Sequence, residues 1–222
     1  VDLNQKIGEA QMHAGEYDLA LDSFSKSGEL ARFAGMTDLV ASSFCRQGAA
    51  HTFKDDLDSA RSCYSEAIAI CGEDSALDAS FVIALTGLSS LDRRSGRLEA
   101  ALERLDEAMP IAERSQHPMQ KAGIWGQRGT LYQNLGRFSD AVHAYEISRQ
   151  VREESGDRRG LAITLMNQGR ILTSSGETQR AREVLQQALD LFRETGDLQG
   201  RILTLGNLGS LHYHRGEHQR SE

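Results

Sequence analysis

The sequence predicts an all-α fold, an α-solenoid of helix-turn-helix hairpins stacked one after another. Three observations carry this expectation. Only two prolines and 6% aromatic residues accompany abundant Ala, Leu, Glu, Arg and Gln, a composition that suits long helices and argues against strands. A triplet recurs every 40 or 41 residues along the 222-residue chain: a small residue, a turn residue seven further on, and an Ala five after that. Four residues after each Ala stands a large apolar or aromatic side chain, and three later a small one. That is the i, i+4, i+7 stripe of an amphipathic helix.

The elements follow in order. The repeats fall at about residues 1–40, 41–81, 82–121, 122–161 and 162–201, with a half repeat over 202–222, and read as one array spanning 1–222. The first carries Gly8, Gly15, Ala20, Phe24 and Ser27; the second carries Gly48, Asp55, Ala60, Tyr64 and Ala67. The third has Ser89, Gly96, Ala101, Leu105 and Ala108, the fourth Gly129, Gly136, Ala141, Tyr145 and Ser148, and the fifth Gly169, Gly176, Ala181, Leu185 and Ala188. The half repeat holds Gly209 and Gly216. A helix precedes each turn, as over 124–135 and 161–173. Its glycine needs a reason, because mid-helix Gly costs about 1 kcal/mol relative to Ala. Close crossing supplies one: Gly8, Gly48, Gly129, Gly169 and Gly209 are expected to face the methyl of the paired Ala20, Ala60, Ala141 and Ala181. Gly15, Gly96, Gly136, Gly176 and Gly216 are expected to close the turns with positive φ.

Trp125, Gly129, Tyr132, Gly136, Ala141 and Tyr145 resemble the tetratricopeptide pattern of W, G, Y, G, A and F/Y, and the in-phase copies extend that resemblance over essentially the whole chain. It implies a right-handed superhelix of five hairpins plus one helix, with the first helix of each hairpin lining a concave groove. The sequence departs from the common form in its period, 40 rather than about 34, and in lacking the closing proline. The extra residues fall at 34–38, 155–157 and 195–197. There Gly35, Gly156 and Gly196 read as helix C-caps, and Asp38, Asp157 and Asp197 as N-caps of the next helix. Such longer hairpins resemble the arrays of kinesin light chains, cell-polarity adaptors and bacterial regulators that carry a sensor array beside an ATPase, kinase, protease or DNA-binding domain. The resemblance does not choose among them.

Charge and motifs exclude several function classes. The formal net charge is -7 and no cluster of five Lys or Arg occurs, so the footprint of a nucleic-acid or anionic-membrane binder is missing. No apolar run reaches the ~18–20 residues of a membrane span, and the first residues do not form a signal peptide, which points to a cytoplasmic protein. Cys63 and Cys71, eight residues apart in one helix, stand about 12 Å apart and cannot bridge; with Cys45 they read as reduced thiols. No phosphate loop, nucleophile elbow or dinucleotide fingerprint is present, so neither an enzyme nor a cofactor is expected. His214 and His218 have metal-pair spacing, but Gly216 lies between them at an expected turn, and they read as exposed polar residues with no metal. Asp55, Asp56 and Asp58 read as the second turn and the acidic start of the next helix. Trp125 and Tyr132 read as core.

What remains is the groove. In register, the inner face of the first helices carries Lys6, Glu9, Met12, His13, Arg46, Phe53, Arg93, Arg94, Gln127, Thr130, Gln133, Asn134, Asn167, Arg170, Asn207, Ser210, Tyr213 and His214. Five bases against Glu9 suggest a taste for acidic or carboxylate-bearing segments, with Arg gripping carboxylates and Asn and Gln pairing with an extended backbone. The same residues also read as nothing more than the solvated face of each helix. The Lys/Asn set of carboxylate-clamping chaperone adaptors is not matched: Gln5, Glu9, Arg46, Thr86 and Ser90 stand in those places. An Asn-centred mode resembling the polarity-adaptor and light-chain arrays finds support in Asn167 and Asn207.

The expected function is therefore protein–protein interaction, with a protein or peptide partner held by Arg46, Arg93, Arg94, Gln127, Asn134, Asn167, Arg170 and Asn207. The alternative is the sensor or autoinhibitory region of a larger bacterial signalling protein. Val1 is not an initiator Met and Glu222 falls just after the sixth expected turn, which reads as a segment of a longer chain. Uncovered Leu205, Leu208 and Leu211 would then make the end a candidate for self-association.

Overall fold

The computed structural model describes residues 1–72, 74–114 and 117–218, with side chains up to residue 211. Among the described residues there are eleven α-helices, one 3-10 turn and no strand. They form two compact units, Val1–Gln120 and the chain from Lys121 on. The first unit holds α1 (Asp2–Ala14), α2 (Tyr17–Phe33), α3 (Thr37–Phe53), α4 (Leu57–Cys71), a 3-10 turn (Ser75–Leu77), α5 (Asp78–Arg94) and α6 (Leu98–Arg114). The second holds α7 (Pro118–Asn134), whose first turn precedes Lys121, then α8 (Phe138–Ser155), α9 (Arg158–Ser174), α10 (Thr178–Glu194) and α11 (Leu198–His218).

The turns form where the register places them. At Gly96 (φ 75°) the chain reverses as Gly96 N–H donates to Arg93 O and Arg97 N–H to Asp92 O, which satisfies carbonyls at the end of α5. Gly15, Gly136 and Gly176 repeat this geometry. In the second hairpin the same place is taken by Asp55, at φ 64°. Between hairpins Asp157 accepts from Gly160 N–H at 3.0 Å and Asp197 from Gly200 N–H at 2.8 Å, as N-caps should. Asp38 differs: α3 starts two residues earlier, at Thr37, Met36 stands at its cap, and Asp38 lies in the first turn, where its charge still favours the dipole. The expected sixth turn is also corrected, since α11 runs through to His218 and Gly216 lies inside it.

The helix crossings are close, and the side chains nearest the glycines are not the expected Ala. A Cβ on Gly8 would run into the Phe24 ring, and one on Gly48 would come within 2.8 Å of Tyr64, on Gly129 within 2.8 Å of Tyr145 and on Gly169 within 2.5 Å of Leu185. These are the large residues four positions beyond the Ala. Side chains on a helix lean toward its N-terminus, so the residue that covers the crossing sits one turn further along. Among the described residues nothing lies within 4 Å of the Gly209 Cβ position. At the same end Leu211 is buried against Leu172 and Ala181 rather than uncovered, whereas Leu205 is 51% exposed.

Within each unit, ion pairs 36 to 39 residues apart tie neighbouring hairpins together. In the first unit Lys54 pairs with Asp18, Arg46 with Glu9, Arg94 with Asp55 and Arg114 with Asp78. In the second Arg158 pairs with Glu194 and Arg159 with Asp197.

Candidate functional site

The first helices of the hairpins carry the positions that sequence reasoning singled out. In the first unit Arg46 of α3 reaches back to pair with Glu9 of α1, and its guanidinium lies 6.0 Å over the Phe24 ring. Glu9, Met12, His13, Phe24, Arg46 and Ala49 line a cavity of about 140 Å³. All but Phe24 and Ala49 were expected on this face. One repeat on, Arg94 of α5 donates to Thr52 O at 2.9 Å and pairs with Asp55. Phe53, exposed as expected, stacks on Tyr17 with ring centroids 5.6 Å apart. Arg93 is half-buried, and among the described residues its side chain has no hydrogen-bond or ion-pair partner.

This pairing corrects the charge balance inferred from sequence. Lys6 pairs with Asp2 of its own helix at 2.7 Å, Arg46 with Glu9 and Arg94 with Asp55, so three of the five bases already hold carboxylates. Glu9 and Asp55 stand roughly one repeat before the arginines they meet, so two of these pairs were present in the register as acid and base about one period apart.

In the second unit Arg170 of α9 donates to Gln133 Oε1 of α7 at 2.8 Å. Thr130 bonds its own helix at Gly126 O and meets the Tyr145 hydroxyl at 2.9 Å. Gln127, Asn167 and Asn207 occupy the same register position on α7, α9 and α11, and all three are half-buried. Among the described residues their amides have no partner, nor has that of exposed Asn134. A primary amide offers two donors and an acceptor, which matches the alternating groups of an extended backbone. Tyr213, His214 and His218 have side chains outside the described residues.

Trp125 is only half-buried and among the described residues joins no core cluster, which corrects its assignment to the core, whereas half-buried Tyr132 packs against Ala141, Tyr145 and Ile171 as expected. Arg128 lies 4.8 Å over the Trp125 ring and Arg137 4.5 Å over Tyr132. Rings with one face under a cation retain part of their exposure.

Sequence reasoning missed the buried carboxylates. Asp78 is held by Arg114 through two bonds of 2.8 and 2.7 Å, and those hydrogen bonds lower its pKa. Asp92 is 1% exposed and accepts from Arg61, Arg97 and Arg104. Burial pushes its pKa up, but hydrogen bonds from Arg104, Arg97 and Arg61 outweigh this and hold it at about 2. Burial pushes the Cys45 thiol up to about 12 and Cys71 to about 11, and raises Cys63. Among the described residues no group of three His, Cys, Asp or Glu is placed to hold a metal ion, and no helix is long and apolar enough to cross a membrane.

With this geometry in hand, comparison with known proteins is specific about the repeat. The tetratricopeptide repeat family model matches residues 120–194. The photosystem I assembly protein Ycf3 of Prochlorococcus marinus (strain MIT 9211) is 35% identical over 88 residues, which are 40% of this chain and 47% of that protein. The chain thus spans about half the length of the curated relatives it matches. The crystal structure of BtubC (BKLC) from P. vanneervenii has a TM-score of 0.73 at 21% identity, covering 90% of this chain and 84% of that one. The Rap conjugation gene regulator of the plasmid pLS20, in complex with the Phr* peptide, has a TM-score of 0.79 at 14% identity, covering 90% and 55%. At these identities the structural likeness concerns the fold.

Proposed function

We propose that this chain, whose residues 120–194 match the tetratricopeptide repeat family, is an interaction module that holds an extended segment of a partner protein along the first helices of its hairpins. The observation that carries this reading is the in-register row Gln127, Asn167 and Asn207, half-buried side chains whose amides have no partner among the described residues. Amides that no protein group engages are open to a ligand, and a peptide backbone supplies alternating donors and acceptors at any sequence. Asn134 and Arg170 extend the row in the second unit. In the first unit Arg46, Arg93 and Arg94 take the corresponding role, and the cavity beside Arg46 suits a small apolar side chain, with Met12, Phe24 and Ala49 in its wall. Among the described residues Arg93 has no side-chain partner and Arg170 meets only Gln133, so both are placed to take a carboxylate; Arg46 and Arg94 would have to exchange one carboxylate for another.

Selection from a random peptide library, followed by binding to N167A/N207A and to R93E/R94E/R170E, tests the assignment. Loss of affinity of about tenfold or more in the amide variant is expected, since two hydrogen bonds are removed. Selected peptides that bind both variants as well as the parent would remove the groove from these residues.

A second reading is a sensor region within a larger regulator. It is favoured by the Rap regulator in complex with the Phr* peptide, of which this chain covers 55%. A full-length gene product carrying an effector domain whose activity changes on peptide binding would support it, and a product of the array alone would not. The exposed Leu198, Ile202, Leu203 and Leu205 of α11 support self-association at that end, which light scattering over a concentration series tests directly.

A further inference from the structure

The first unit contains two buried carboxylates that are served very differently. Asp78 of α5 is 7% exposed and is satisfied by one guanidinium, that of Arg114. Asp92, at the other end of the same helix, gathers three from three elements. Arg61 of α4 donates Nη2 to Oδ1 at 2.8 Å. Arg97, in the turn between α5 and α6, donates Nη2 to Oδ1 at 2.7 Å and Nε at 3.2 Å. Arg104 of α6 donates Nε to Oδ2 at 2.7 Å.

One arginine suffices to neutralise a buried carboxylate in this very unit, so two of the three charges at Asp92 exceed what its burial requires. Bringing cations together around a single anion raises their mutual repulsion, which weakens the arrangement unless further negative charge arrives. The three side chains are 34%, 53% and 33% exposed, so their outer N–H groups face solvent rather than core. Among the described residues none of them pairs with any other carboxylate. In a chain of net charge -7 this is a local excess of two positive charges whose side chains are already fixed in direction by Asp92. Donors held in place in advance lose little freedom on meeting a ligand, and guanidinium forks match tetrahedral oxyanions.

We propose that Arg61, Arg97 and Arg104, positioned by Asp92, form a binding site for a doubly charged oxyanion of the phosphate class, either free or carried on a side chain. The site uses the second helices α4 and α6 and the turn before α6, and so is independent of the amide row on the first helices of the second unit. Asp92 is its positioning residue and the three arginines supply the contacts.

The test is titration of the whole chain with inorganic phosphate and with a phosphoserine peptide, at matched ionic strength, followed by calorimetry and by the NMR signals of the arginine Nε–H groups. Acetate and the unphosphorylated peptide are run alongside. Saturable shifts of Arg61, Arg97 and Arg104 signals with phosphate, weakened about tenfold in R97Q, are the expected result. Arg97 lies in a turn and is the most exposed of the three, so R97Q is expected to fold; a circular-dichroism melt in chloride checks this. R104Q serves as the second variant. Tighter binding of the phosphopeptide than of the free ion assigns the site to a modified side chain, and the reverse assigns it to the free ion. Acetate shifting the same signals equally, phosphate shifting none, or R97Q and R104Q both retaining the parent affinity would overturn the proposal.

Discussion

Tyr64 is gripped from both sides by glycine, and a single methyl group tests whether that grip matters. Its ring, 5% exposed, lies between Gly48 of α3 and Gly87 of α5, and packs with Cys45, Ala60, Ala67, Ala84, Leu88 and Leu91. In Gly87→Ala the new Cβ would stand 2.5 Å from Tyr64 Cε1. The ring has little room to retreat, because it also packs closely on Gly48 of α3, where a Cβ would stand 2.8 Å from Cε1. Alanine gains about 1 kcal/mol over glycine in helix propensity. Overpacking a well-filled core costs about 1–3 kcal/mol, and a ring trapped between two backbones belongs at the upper end. The net expectation is a destabilisation of about 1–2 kcal/mol. Gly123, in the interior of α7, has nothing within 4 Å of its Cβ position, so Gly123→Ala retains only the gain of about 1 kcal/mol. Thermal unfolding followed by circular dichroism reads both, with Tm moving about 2–4 °C per kcal/mol in a chain of this size. A Gly87→Ala protein as stable as the parent, or one in which both substitutions shift Tm alike, would refute the crossing geometry.

Three further outcomes rest on other features of the fold. Asp55 holds φ 64° where other hairpins use glycine, so Asp55→Ala is expected to melt below Asp55→Gly by about 1 kcal/mol; equal melts would remove the strain argument. Asp92 has a folded pKa of about 2 against an ordinary 3.8, so its contribution is complete above pH ~4 and is lost as pH falls through about 2. Asp92→Asn, less stable than the parent at neutral pH, is expected to lose less on acidification across that window, and parallel acid titrations would contradict this. Among the thiols, half-buried Cys63 is expected to react with maleimide first at pH 8, with Cys45 and Cys71 protected until unfolding; simultaneous labelling in the native state would refute the burial that raises their pKa values.

The repeat was legible because it is written in local spacing. Gly96 and Gly136 announce turns by position alone, and the same register identifies Asp55 as a turn residue despite its side chain. Helix crossings were harder, since spacing points to Ala20 opposite Gly8 while side-chain lean brings Phe24 there. The charge ladder was half legible: Glu9 with Arg46 and Asp55 with Arg94 are separated by about one period, and a search for acids and bases at that separation finds them. The Asp92 cluster was not legible. Arg61, Arg97 and Arg104 lie 31, 5 and 12 residues from it, separations that follow no helical or repeat period and meet only after α4, α5 and α6 have packed.

For the binding surface, footprinting is the direct measurement. With a library-selected peptide at saturation, amide and side-chain NMR shifts should concentrate on Gln127, Asn134, Asn167, Arg170 and Asn207, or on Arg46, Arg93 and Arg94, and spare the second helices α8 and α10. Shifts confined to α8 and α10, with the first helices unmoved, would contradict the account.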